Sequence, residues 1–367
     1  MKPDSGKRIF YFDFLRVISA LAVVSIHVTS APFTSLPVCS QAWDMNLLYN
    51  SAVHWAVPVF VMISGALFLG NQKRSSWQRI LKVSVRHLLF LYLSWSLLYS
   101  IQIGWSTMIQ SGPVQFVKIV LDTFFGGGRY HLWFLPMLIG LYLAEPLVNC
   151  FVKNRSLLRY FLVLGLIFSF LLPGLEKMQE LFLTTGAAEK LGVYVQIVLG
   201  WCRDFEPAIG ASQYLYYFVL GYALATCPVQ KLKASSSWLL ILTGYVFTVS
   251  VVWSASYHTQ TMQGYFVNTW TLMMAAGIFS LARIKCPDGF SNRKVNQFFQ
   301  IVSGWSLGIY LVHIMILEGV QYVFPSPETI WQVVWQMPVQ IILVFTISML
   351  LSALLSRIPY VRKLVQN

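Results

Sequence analysis

The stretch Phe10 to Ser30, FYFDFLRVISALAVVSIHVTS, is apolar enough to cross a bilayer, yet it carries Asp13, Arg16 and His27. Inside hydrocarbon a chain must satisfy its own backbone polar groups, so such a stretch has to be a helix or part of a closed barrel. At about 100° per residue, Asp13 and Arg16 are neighbours on one helical face, and Arg16 and His27 differ by only about 20°. All three line one stripe, with Arg16 and His27 about 16 Å apart along it. Ionisable side chains at that depth face a protein interior or a wet cavity and mark function. A guanidinium near one membrane surface and an imidazole near the other therefore constrain everything else in the chain.

The rest of the sequence supplies the surroundings. It is 57% apolar and only 11% charged, against about 25% charged in a soluble domain. Taking about 20 apolar residues per span, ten spans are predicted, at approximately 10–30, 47–70, 86–108, 131–151, 158–175, 209–226, 237–255, 266–283, 298–319 and 332–356. The fold class is thus all-α, a polytopic membrane protein with about ten transmembrane helices forming one membrane-embedded domain over 1–367. With both termini in the cytoplasm, 20 of the 26 basic residues fall in inner segments and five in outer ones, as the positive-inside rule demands. The net charge of +13 then reports topology and contact with membrane lipids, and nucleic acid is not an expected partner. Because Arg16 and His27 interrupt the apolar run behind MKPDSGKR, that segment reads as an uncleaved first helix.

Long outer segments are expected at 31–46, 109–130 and 176–208. The last is acidic, fitting either a solvated loop or a cover over a cavity. Gly126-Gly127-Gly128 reads as a turn into the fourth span; it lacks the Lys-Ser/Thr of a phosphate loop. The five cysteines show no metal-ligand spacing, so no metal site is expected. Only Cys39 and Cys202 fall outside, where an oxidising exterior permits a bridge between them.

Four patterns occur in a fixed order: Arg16-x10-His27 after Asp13, VPVFVMISGALFL from Val57 to Leu69, HLWFL from His131 to Leu135, and SLGIYLVH from Ser306 to His313. On a ten-span chain with cytoplasmic ends this resembles the acyltransferase-3 family of bacterial integral membrane acyltransferases, specifically the stand-alone O-acetyltransferase type without an appended esterase-like domain. The resemblance implies acetyl-CoA as a cytoplasmic donor substrate with no bound cofactor. It also implies a glycan or lipid-linked sugar acceptor in the cell envelope and a place in the bacterial inner membrane. It carries the family's first-helix Arg and His onto Arg16 and His27. Where some members have Arg-x-x-Arg before the third span, this chain has Arg79-Ile-Leu-Lys82 and then Arg86.

The chemistry points the same way. Acyl transfer to a hydroxyl needs a general base, and imidazole is poised for that near neutral pH. A planar, permanently charged guanidinium suits donor phosphates. His27 is the expected base, Arg16 the phosphate ligand and Asp13 its orienting partner, and these three are the predicted catalytic set. Arg79, Lys82 and Arg86 are expected to join Arg16 in acyl-CoA binding, unless that patch only sets topology. Glu145, His131 and Trp133 are expected at the acceptor, although His131 and Trp133 also suit an interfacial belt. Asp13–Arg16 as a structural ion pair, His27 as a core histidine, His54 as a helix-bonding residue and Ser64-Gly65 as a close-packing device are the plain alternatives. A succinyl or other acyl transferase, and a flippase or transporter for a lipid-linked sugar, are the competing functions.

Overall fold

Runs of about 20 apolar residues can bury their backbone only as helices, and a computed structural model bears this out. It describes residues 8–70, 76–176, 213–264, 269–359 and 361–365, and among these there are helices and no strands. Twelve helices organise them: α1 (Phe10–Ser30), α2 (Gln41–Ser51), α3 (Ala56–Phe68), α4 (Arg86–Ser111), α5 (Pro113–Phe125), α6 (Phe134–Val152), α7 (Arg155–Leu166), α8 (Gln213–Thr226), α9 (Ala234–Thr259), α10 (Thr269–Lys285), α11 (Arg293–Val323) and α12 (Ile330–Leu355). Cys202 and the acidic stretch 177–208 lie outside the described residues, as do Lys73 and Arg74, so the Cys39–Cys202 bridge falls there too.

Among the described residues, eight segments have the length and apolarity to cross a membrane. They correspond to eight of the ten expected spans. The other two, 209–226 and 266–283, appear as α8 and α10, with 14 and 17 described residues. Both are interior helices: Tyr217, Phe218 and Val219 of α8 and Ala275 and Phe279 of α10 are fully buried.

Two expected boundaries shift for local reasons. The span at 47–70 is two helices, α2 and α3, parted at residues 52–55. Pro58 lacks an N–H and is tolerated where that donor would be unsatisfied anyway, in the first turn of α3. The segment 109–130, expected as a loop, holds α5, which turns at Gly112 and folds back along α4 with Phe116 and Val120 against Gly104. The glycine turn that follows has φ values of 97° at Gly127 and 72° at Gly128, which side-chain-bearing residues rarely adopt. It delivers Arg129 to an ion pair with Glu318 of α11, whose other carboxylate oxygen accepts from Gln102 Nε2 at 2.7 Å.

α1 lies at the centre, against α2, α3, α11 and α12. At about 1.5 Å per residue the 31 residues of α11 extend about 46 Å, and α1 runs beside its middle. Phe10 meets Phe299 near one end of α1, and His27 meets His313 near the other. The last carbonyls of α1 have no partner within their own helix. Asn46 Nδ2 donates to Thr29 O at 2.8 Å, and Asn50 Nδ2 donates to Thr29 Oγ1 at 2.7 Å. His54 completes this polar cap through Asn50 Oδ1 at 2.8 Å, which is the helix-bonding role considered for it.

The closest backbone approach joins α3 to α8. A Cβ placed on Gly65 would lie 1.7 Å from Phe218 O, and one on Gly221 would lie 2.0 Å from Met62 O. Small residues let membrane helices touch backbone to backbone, and Ser64-Gly65 serves that end. Gly65→Leu is expected to overpack this seam by about 3 kcal/mol or more, collapsing the yield of monodisperse protein in detergent. Gly140→Ala, where a Cβ meets nothing within 4 Å, is expected to leave yield and thermal midpoint unchanged or slightly raised.

Candidate active site

One cavity of about 930 Å³ runs along the charged face of α1, and it brings together residues from distant parts of the chain. Arg16 and His27 both line it, so the stripe read from helical phase faces a cavity instead of lipid. Phe60, Ile63, Ser64 and Leu67 form the α3 wall, while Leu135, Leu138 and Tyr142 form the α6 wall. Lys82 and Arg86 add to the cavity's basic lining, and His131 and Trp133 line it as well, with His131 6.4 Å from His27 between ring centroids. Six expected site residues therefore share one space.

The basic end owes its shape to the entry into α4. Ser76 caps a short turn, Trp77–Arg79, and the chain then widens into a π-helical stretch, Ile80–Val85. Single π turns inside helices recur at functional sites because they re-aim side chains. Here Ile80 is buried while Lys82, Ser84, Arg86 and His87 line the cavity. Arg79 does not line it; it is an exposed residue one turn earlier.

Asp13 lies beside the cavity, and its strongest partner is not the one expected. Arg8 Nε and Nη2 grip the carboxylate at 2.6 and 3.0 Å, and Ser303 Oγ donates to it at 2.7 Å. Arg16 Nη1 stands off at 3.8 Å. The i,i+3 pair exists, but Arg8 largely satisfies the carboxylate and leaves the Arg16 fork open toward the cavity. Five-residue spacing does not put Arg8 and Asp13 on one helical face; the contact arises because Arg8 precedes the helix and wraps back over its first turn.

At the opposite end three imidazoles converge. Ring centroids are 5.1 Å apart for His27 and His313, 5.3 Å for His131 and His313, and 6.4 Å for His27 and His131. Among the described residues no group of His, Cys, Asp and Glu is arranged to hold a metal ion. His131 is 2% exposed, with both of its ring nitrogens buried, and Nε2 of His313 is buried as well. His131 is thus a buried ring of the cavity wall, packed against His27 and His313. Its backbone is fixed by Tyr310 Oη, which donates to His131 O at 2.6 Å, and Tyr99 packs edge-on against the ring at 5.0 Å between centroids. Trp133 is half exposed at the cavity edge against Tyr214.

Glu145 is fully buried on α6 but does not line the cavity. It accepts from Asn149 Nδ2, and Asn149 Oδ1 in turn accepts from the Gly70 backbone at 2.7 Å, tying α6 to the end of α3. Tyr310 and His313 carry the geometry of the imidazole cluster, and sequence reasoning gave neither a role. Their three-residue spacing puts them on one helical face, which is the signal that could have found them.

Asp13→Ala is expected to strip two guanidinium groups and Ser303 of their shared acceptor, lowering stability by about 3 kcal/mol. Arg8→Ala should cost less, because Ser303 and Arg16 still face the carboxylate. Thermal unfolding in detergent compares the two.

A family model for acyltransferase-3, described as an acyltransferase domain, matches residues 9–357. No curated protein and no solved structure matches the chain.

Proposed function

Since the chain belongs to the acyltransferase-3 family, a family of membrane acyltransferases, we propose that it is an O-acetyltransferase of the bacterial inner membrane. It moves an acetyl group from cytoplasmic acetyl-CoA to a hydroxyl of a cell-envelope glycan or lipid-linked sugar. The observation that carries this reading is one cavity lined by Arg16, Lys82 and Arg86 and also by His27, His131 and Trp133.

The donor's phosphates bind at the basic end, where Arg16 supplies a planar fork and Lys82 and Arg86 add charge. The pantetheine arm extends along the cavity, about 16 Å from Arg16 to His27, and brings the thioester beside the imidazole. The acceptor enters from the opposite side, its ring over Trp133 and its hydroxyl toward His27, with His131 in the wall beside it. His27 takes the proton of the acceptor hydroxyl as the oxygen attacks the thioester carbonyl. The carbon–sulfur bond then breaks, and the proton passes to the departing coenzyme A thiolate. Asp13 acts through Arg16 as a positioning residue. Arg79 and Glu145, which lie off the cavity, have no part in this scheme.

The test is label transfer from radiolabelled acetyl-CoA into envelope glycans, using sealed vesicles of known orientation. Coenzyme A carries several negative charges and does not cross hydrocarbon, so donor is expected to be productive only from the face where α1 begins. Efficient transfer with donor confined to the other face would overturn the mechanism.

Two variants separate the roles. His27→Ala is expected to lower turnover by about 10²- to 10⁴-fold, the usual worth of a general base, with an unchanged thermal midpoint. Arg16→Lys is expected to raise the donor KM by about tenfold, since a point charge does not reproduce the bidentate fork. A donor dependence equal to wild type in that variant would remove Arg16 from phosphate binding.

A further inference from the structure

Four cations line the cavity, Arg16, Lys82, Arg86 and Lys363, and no carboxylate accompanies them among its described lining residues. The first three come from α1 and the entry to α4. Lys363 arrives from the far end of the chain, on a 3₁₀ turn, Val361–Leu364, that follows α12. That turn lies beyond the residues matched by the family model, which end at 357, so family membership alone assigns it nothing.

The turn is docked at defined points. Trp95 Nε1, on α4, donates to Leu364 O at 2.9 Å. Val365 is fully buried, and its Cβ would sit 3.2 Å from a Cβ placed on Gly308 of α11. Backbone bonds from Arg362 N to Ile358 O at 2.8 Å and from Val365 N to Arg362 O at 3.2 Å close the turn on itself. The segment is thus wedged between the helix that carries Arg86 and the helix that carries Tyr310. Its one cavity-lining side chain is an exposed lysine. Asp13 stands 3.8 Å from Arg16, but among the described residues no carboxylate lines the cavity with Lys82, Arg86 and Lys363. Like charges so gathered repel one another, and a ligand bearing several negative charges reverses the sign of that interaction.

We infer that this C-terminal turn forms a wall of the donor site and that Lys363 is a phosphate ligand there. Together with Lys82 and Arg86 it presents a cationic rim to the polyphosphate of a nucleotide-bearing thioester. Arg16 lies deeper, on the path to His27. The inference rests on the reading of acyl-CoA as the donor, and it adds a second segment of the chain to that site.

The test is titration of the purified protein with coenzyme A in vesicles of zwitterionic lipid, where no anionic headgroup competes for the cations. Lys363→Ala is expected to weaken binding by about fivefold, the scale of one solvent-exposed ion pair, and Lys363→Arg to restore most of it. Arg362→Ala removes the same charge one residue away, where it does not line the cavity, and is expected to bind as wild type. Trp95→Phe, which loses the tether to Leu364, should weaken binding in the same direction as Lys363→Ala. If the wild-type protein binds no coenzyme A, the donor reading fails and this inference falls with it. If the wild type binds and Lys363→Ala binds equally well, the donor reading stands and the role of the turn is overturned. The role of the turn is overturned in that case even if Lys363→Ala changes association with vesicles containing anionic lipid, which would assign the lysine to headgroups.

Discussion

Every polar group that the first helix carries into the membrane has to be met by protein, because hydrocarbon offers nothing to bond with. That requirement organises the structure around α1. At one end Asp13 draws in Arg8 and Ser303, which fixes the helix against α11. At the other end the exposed carbonyls of the last turn draw in Asn46 and Asn50 of α2. Between these anchors, Arg16 and His27 are not consumed by structural partners in the same way and are turned toward open space. The helices that wall that space are positioned by contacts made elsewhere on α1.

The division between anchored and open groups is what makes the cavity suited to chemistry. Asp13 and Arg16 are only one turn apart, yet the carboxylate is bonded by Arg8 and Ser303 while the guanidinium lines the cavity. Had Asp13 held Arg16 in a short bidentate pair, the charge available to an anionic ligand would have been largely neutralised. At the imidazole end Tyr310 directs its hydroxyl to the backbone of His131, which fixes the position of that ring beside His27 and His313.

How much of this was legible in the sequence depends on the range of the interaction. The phase of Arg16 and His27 along one helix is a local property, and the structure places both on the same cavity wall. Lys82 and Arg86 were readable through the resemblance to the family's Arg-x-x-Arg pattern, and both line the cavity. The partner of Asp13 was not, because Arg8 lies outside the helix and helical periodicity is silent about residues that fold back over a helix start. Glu145 was expected at the acceptor from its place inside a span, and the link through Asn149 to Gly70, which ties two helices together, depends on contacts that no local pattern displays. Lys363 was beyond reach for a different reason. Its place depends on Trp95 and Gly308, residues far from it along the chain and joined to it by no pattern that a single sequence displays.

The backbone contact between α3 and α8 has a mechanical consequence for the cavity. Phe60, Ile63, Ser64 and Leu67 line it from the very helix whose Gly65 rests against Phe218 O. With main chain pressed on main chain, that wall has no side chain to compress and no slack to take up. The facing entry to α4 is built from wider π turns, whose backbone is less tightly wound, and it bears long, exposed cations. The two walls thus differ in kind: one is held by direct backbone contact with a neighbouring helix, and the other carries the cavity's charge.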